Sequence, residues 1–102
     1  MNNNRFIGKI AFVTGATSGI GQACALAFAR EGAKLAFVGR NTEKLQDLGN
    51  KLKASGTEVL PIQADLARDE DQSTAISQAI DTFGGIDILV NAAYIAQKKM
   101  RW

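Results

Sequence analysis

Thr14-Gly15-Ala16-Thr17-Ser18-Gly19-Ile20-Gly21 separates an apolar run from a helical pattern, and that arrangement sets the fold class. Before it stands Ile10-Ala11-Phe12-Val13, a short run of strand type; after it, apolar side chains at 20, 23, 24, 27 and 28 recur at helical spacing. The order is strand, glycine turn, helix. Glycine permits a tight turn and close backbone approach, while the unsatisfied N–H groups and positive dipole end of the helix attract a pyrophosphate. Ser18 offers a hydroxyl donor beside them. Without its flanking strand and helix the segment would be an ordinary glycine-rich turn.

Working outward, Gly32 follows the helix as its cap, and Leu35-Ala36-Phe37-Val38 forms a second strand closed by Gly39-Arg40. Asn41 or Thr42 caps a second helix whose apolar side carries Leu45, Leu48 and Leu52 and which ends at Ser55-Gly56. Residues 59–62 are a third strand, with Pro61 restricting it to a sheet edge or a strand end because proline cannot donate to the ladder. Residues 69–83 form a third helix with Ala75, Ile76, Ala79, Ile80 and Phe83 inward, stopped by Gly84-Gly85. Residues 86–90 make a fourth strand, interrupted only by Asp87. Strands alternating with helices of this length predict an α/β fold with parallel strands joined by right-handed crossovers. The near-continuous apolar runs suit strands covered on both faces.

Composition narrows the chemistry. The chain has 102 residues, 46% apolar and 22% charged, with one cysteine and no histidine. That is enough for one small domain. Histidine-dependent nucleophilic pairs, a histidine base and His-ligated zinc are excluded, and one cysteine forms neither an internal disulfide nor a thiolate cluster. No metal site is expected. The formal charge of +2 owes its sign to Lys98, Lys99 and Arg101; without them residues 1–97 are slightly acidic, with no basic footprint for nucleic acid. No apolar run approaches the roughly 20 residues of a membrane span, and the Asn-rich start does not lead into a signal-peptide core. A cytoplasmic protein with no membrane partner is expected. Cys24, among Ala23, Ala25, Ala27 and Phe28, reads as a small buried thiol. Glu43, Lys44, Lys51, Lys53, Asp69, Glu70 and Asp71 read as solvated helix positions, the last three also suiting the positive end of a helix.

At this point the sequence resembles the short-chain dehydrogenase/reductase family. Its first motif, Thr-Gly-x-x-x-Gly-x-Gly, is matched by Thr14, Gly15, Gly19 and Gly21; Asp65-Leu66 resembles the family's adenine-contacting Asp, and Asn91-Ala92-Ala93 the start of its Asn-Asn-Ala-Gly motif. The matches run from about residue 8 to residue 93. The resemblance implies a Rossmann-like parallel sheet with helices on both faces, truncated after the fourth strand. Residues 1–94 would be the nucleotide-binding half-domain and residues 95–102 an atypical basic tail. It also implies cofactor contacts from Gly15, Thr17, Ser18, Gly19, Ile20, Gly21, Arg40, Asn41, Asp65, Leu66, Asn91 and Ala92. At the end of the second strand an acidic residue would bond the ribose 2′-OH of NAD, whereas an arginine accommodates the 2′-phosphate of NADP. The chain has Val38-Gly39-Arg40-Asn41 there, so NADP is expected ahead of NAD.

In the family, Ser, Tyr and Lys of the second half carry the chemistry, the last two spaced Tyr-x-x-x-Lys. This sequence has no matching positions. Tyr94-Ile95-Ala96-Gln97-Lys98 spells the spacing but follows directly on the fourth strand, and is read as coincidence. Tyr94 also stands where the family has glycine and would crowd the backbone near the cofactor, so the sequence leaves the family pattern there, as a truncation, frameshift or alternative splice would cause. The expectation is the NADP(H)-binding portion of an oxidoreductase that exchanges hydride with a carbonyl or alcohol, without catalysis of its own. The alternative is a non-catalytic nucleotide-binding or interaction module; a minimal enzyme using Tyr94 and Lys98 is a third reading. With strand order 3-2-1-4 the fourth strand would leave an open apolar edge, which invites self-association.

Overall fold

The computed structural model describes residues 5–65 and 68–92; Leu66, Tyr94, Lys98 and the expected tail lie outside the described residues. The elements follow in the order β1 (Ile10–Thr14), α1 (Gly19–Arg30), β2 (Lys34–Gly39), α2 (Thr42–Ala54), β3 (Val59–Gln63), α3 (Asp69–Phe83) and β4 (Ile88–Asn91). All neighbouring strands pair in parallel, in the order β3-β2-β1-β4.

Alternation along the two central strands divides the core. Ala11 and Val13 of β1 and Leu35 and Phe37 of β2 join Ala25 of α1 and Leu45, Leu48 and Leu52 of α2 on one face. Phe12, Ala36 and Val38 face the other way and meet Ile62, Ala75 and Ala79, the last two from α3. Every residue of β1 is buried, as a central strand with helices above and below requires. Phe37 is wholly buried at the middle of β2, where truncation to alanine would cost about 3–5 kcal/mol.

Helices α1 and α2 stop by the same device. The N–H groups of Gly32 and Ala33 bond to the carbonyls of Ala29 and Phe28, and those of Gly56 and Thr57 to Lys53 and Leu52. This double bond pattern needs a left-handed residue just past the helix, and Gly32 takes it at φ +94. Pro61 sits within β3 opposite Phe37, on the outer strand of the sheet, where proline is tolerated.

Three expectations require correction. The fourth strand begins at Ile88, not at residue 86, because Asp87 clasps the start of β1: its N–H donates to the Ile10 carbonyl and its carboxylate accepts the Ile10 N–H, each at 2.9 Å. Ile76 and Ile80 are not inward. They are 39% and 46% exposed, since Ala75 and Ala79 form the row of α3 that meets the sheet and the isoleucines stand one position further round the helix. Cys24 is half-buried, because Gly21 and Ala25 carry the inward face of α1. Among the described residues no helix is long and apolar enough to cross a membrane.

Candidate cofactor-binding site

Because the strands are parallel, Thr14, Gly39, Gln63 and Asn91 end along one edge of the sheet. β1 lies between β2 and β4, so the chain crosses to opposite sides of it, and such a switch point opens the crevice where open α/β sheets hold ligands. The glycine loop leaves β1 there, Arg40 and Asn41 follow β2, Asp65 follows β3, and Asn91 and Ala92 lie at the end of β4. The fold thus brings the expected positions that it describes to one rim.

The loop itself is closed by local bonds. The Ser18 hydroxyl donates to the Gly15 carbonyl at 2.7 Å and accepts the Gly21 N–H at 3.1 Å, capping α1. Its proton is therefore committed within the loop, and the expected hydroxyl donor for a ligand is not free. The first N–H groups of a helix have no partner within it; with that of Gly21 taken by Ser18, those of Gly19 and Ile20 remain for an outside acceptor among the described residues. A Cβ on Gly21 would stand 2.0 Å from the Gly15 oxygen, so the helix start packs on the loop with no room for a side chain. Ala16 donates its N–H to the Val38 carbonyl at 3.0 Å and so ties the loop to the end of β2. Thr17 lies against Gly39, where a Cβ would come 3.1 Å from its methyl group.

On the outer side, Arg40 and Asn41 are exposed and Asp65 half-buried. Asn41 does what its position predicts: its side-chain oxygen accepts the Lys44 N–H at 3.1 Å and caps α2. The Gln63 amide donates to the Arg40 carbonyl at 3.3 Å. On the inner side, the Thr14 hydroxyl donates to Asn91 Oδ1 at 2.9 Å, joining the ends of β1 and β4; Ala92 is buried. A cavity of ≈ 250 Å³ adjoins the loop, with Thr17 and Gln22 on one side and Lys44, Asp47 and Lys51 of α2 on the other. Lys44 and Lys51 line it and remain exposed, as their reading as solvated helix positions expected. Their spacing of seven along α2 was the available signal, but it does not say which neighbour they meet. Among the described residues no cluster of His, Cys, Asp and Glu is arranged to hold a metal ion.

The short chain dehydrogenase family model matches residues 9–101. The chain belongs to the short-chain dehydrogenase family. A protein of Staphylococcus aureus (strain MRSA252), described as an uncharacterised oxidoreductase, is 46% identical over 85 residues, which are 83% of this chain and 36% of that protein. A short-chain dehydrogenase/reductase from Burkholderia phymatum, solved with NAD, superposes with a TM-score of 0.80 at 32% identity, over 82% of this chain and 30% of the other. A metagenomic short-chain oxidoreductase solved with NADP gives 0.77 at 30% identity, over 82% and 38%. The chain therefore spans about a third of the length of the family members it matches. As a member of this family, the chain carries its Rossmann-like sheet with the glycine loop between β1 and α1.

Proposed function

We propose that this chain is the NADP(H)-binding portion of a short-chain dehydrogenase or reductase acting on a carbonyl or alcohol. The observation that carries the reading is the glycine loop, with the Gly19 and Ile20 N–H groups left for an outside acceptor and no space for a side chain at Gly21. These groups and the N-terminal end of α1 hold the pyrophosphate. Arg40 offers its planar guanidinium to the 2′-phosphate, and the end of β2 has no carboxylate to prefer a bare ribose. Asp65 meets the adenine ring, while Thr14 and Asn91 brace the floor between β1 and β4. When bound, the nicotinamide supplies or accepts the hydride. Proton transfer and substrate orientation belong to a Ser, Tyr and Lys with no matching positions in these 102 residues, so the chain by itself binds nucleotide without turnover.

Calorimetric titration with NADPH and NADH, with nicotinamide absorbance followed against a panel of carbonyl substrates, tests this. Saturable NADPH binding, tighter than NADH and without oxidation, is the expected result. Absence of binding would refute the reading; oxidation abolished by Tyr94→Phe would instead make the chain a minimal enzyme.

The unpaired edge of β4 supports self-association as a second property. Leu89 on that strand is 65% exposed, β4 carries neither charge nor proline, and no described strand pairs with its outer side. Unguarded edges of this kind recruit other strands. Light scattering is expected to show dimers or larger species at high concentration, and a monodisperse monomer would count against it.

A further inference from the structure

We propose that Asp71, alone among the acids in the first turn of α3, is a positioning residue for the adenine end of the site. The proposal rests on the dinucleotide reading above and deepens it. Asp69, Glu70 and Asp71 all occupy the first turn of α3, where the helix dipole favours acids equally well. Asp71 does something more. Its Oδ2 accepts the backbone N–H of Asp65 at 2.9 Å, in a partly buried bond spanning six residues.

The usual capping arrangement has a helix's third residue reach back to the N–H of the capping residue. Here the cap is Arg68, which makes no side-chain cap bond, and its N–H is given instead to the Asp65 carbonyl at 3.0 Å. The carboxylate of Asp71 passes over the cap to Asp65. Asp65 is therefore gripped at both backbone groups, by Asp71 at the N–H and by Arg68 at the carbonyl. The residue before it, Ala64, donates to the Gly39 carbonyl at 3.0 Å, immediately beside Arg40. A continuous chain of bonds thus runs from the start of α3 through Asp65 to the peptide that presents Arg40. Removing the Asp71 carboxylate takes this acceptor from the Asp65 N–H and loosens the hold on the Asp65 backbone.

The test compares the intact chain with Asp71→Ala, Asp71→Asn and Glu70→Ala, measuring affinity for NADPH and for 2′,5′-ADP together with folding by circular dichroism. Asp71→Ala is expected to weaken both ligands about tenfold, the size of one charge-assisted hydrogen bond. Asp71→Asn retains an oxygen acceptor and stays within about twofold of the parent, whereas an electrostatic role of the carboxylate alone would not be rescued by it. Glu70→Ala, which removes a first-turn charge but no bond to Asp65, leaves affinity unchanged. Should the alanine variant not fold, Asp71→Ser replaces it, keeping a polar first-turn residue too short to reach Asp65. A folded Asp71→Ala or Asp71→Ser binding both ligands like the parent overturns this inference alone. A parent chain that binds none of NADPH, NADH and 2′,5′-ADP overturns the dinucleotide reading and this inference with it.

Discussion

After β1 the start of α1 packs so tightly on the glycine loop that Gly21 has no room for a side chain, whereas after β2 and β3 the rim carries polar residues tied by hydrogen bonds. In the loop, Gly21 abuts the Gly15 carbonyl so closely that a single methyl group has nowhere to go. On the outer rim, Arg40 is exposed and its backbone is held by one Gln63 amide, while Asp65 is held through Asp71. On the proposed dinucleotide reading, shape governs the half that would meet the pyrophosphate, and tethered polar groups govern the half that would meet the adenine and the 2′ position. Substitutions in the first half should thus affect all nucleotides alike, and in the second half substitution of Arg40 should discriminate between them.

Gly21→Ala probes the first half with the largest expected effect. Overpacking at 2.0 Å from a carbonyl oxygen should cost about 3 kcal/mol in denaturant unfolding and abolish binding of NADPH and NADH together. Retained affinity for either would break the contrast. Arg40→Ala probes the second half: NADPH affinity should fall about ten- to hundredfold, as loss of a charged hydrogen-bonding partner predicts, with NADH affinity unchanged. Equal loss for both nucleotides would show that the outer rim does not discriminate. Ser18→Ala, which removes the cap of α1, should cost about 1 kcal/mol of stability and weaken both nucleotides in parallel.

The smallest effect lies away from both halves. Arg5 Nε donates to Glu31 Oε1 at 3.1 Å, and this hydrogen bond, then that from the Arg5 backbone N–H and the charges of Arg5 and Arg30, hold the Glu31 carboxyl below its ordinary pKa against the opposing effect of its burial. A carboxyl lowered in the folded state stabilises the fold above its unfolded pKa, and that contribution fades as pH falls through the lower folded value. Urea unfolding of Glu31→Gln should match the parent in acid and fall slightly below it near neutrality, with NADPH affinity unaltered. A difference that grows on acidification would contradict the assigned direction.

Much of the loop and of the helix ends was legible because their grammar is local. The glycine spacing between an apolar run and a helical period located the loop, Asn41 announced a helix start, and Gly32 and Gly56 announced helix ends. These signals depend on bonds spanning a few residues. Pro61 left a sheet edge or a strand end open for β3, because a missing N–H constrains the ladder wherever the strand lies, and the sheet order resolves this as the outer strand. The start of β4 was misread for the opposite reason: Ile86 looks like strand, but Asp87 answers to Ile10, far away in sequence. Ile76 and Ile80 were misread because apolar identity marks a helix face only to within one row, and the sheet selected Ala75 and Ala79.

The sequence by itself determined the alternation of strands and helices and the loop with its caps, since each follows from short-range periodicity or local hydrogen bonding. Tertiary structure alone decided that Thr14 meets Asn91 and that Asp71 grips Asp65. Those contacts depend on which strands become neighbours and how far a helix start folds back over the preceding turn, and no residue spacing along the chain encodes either distance.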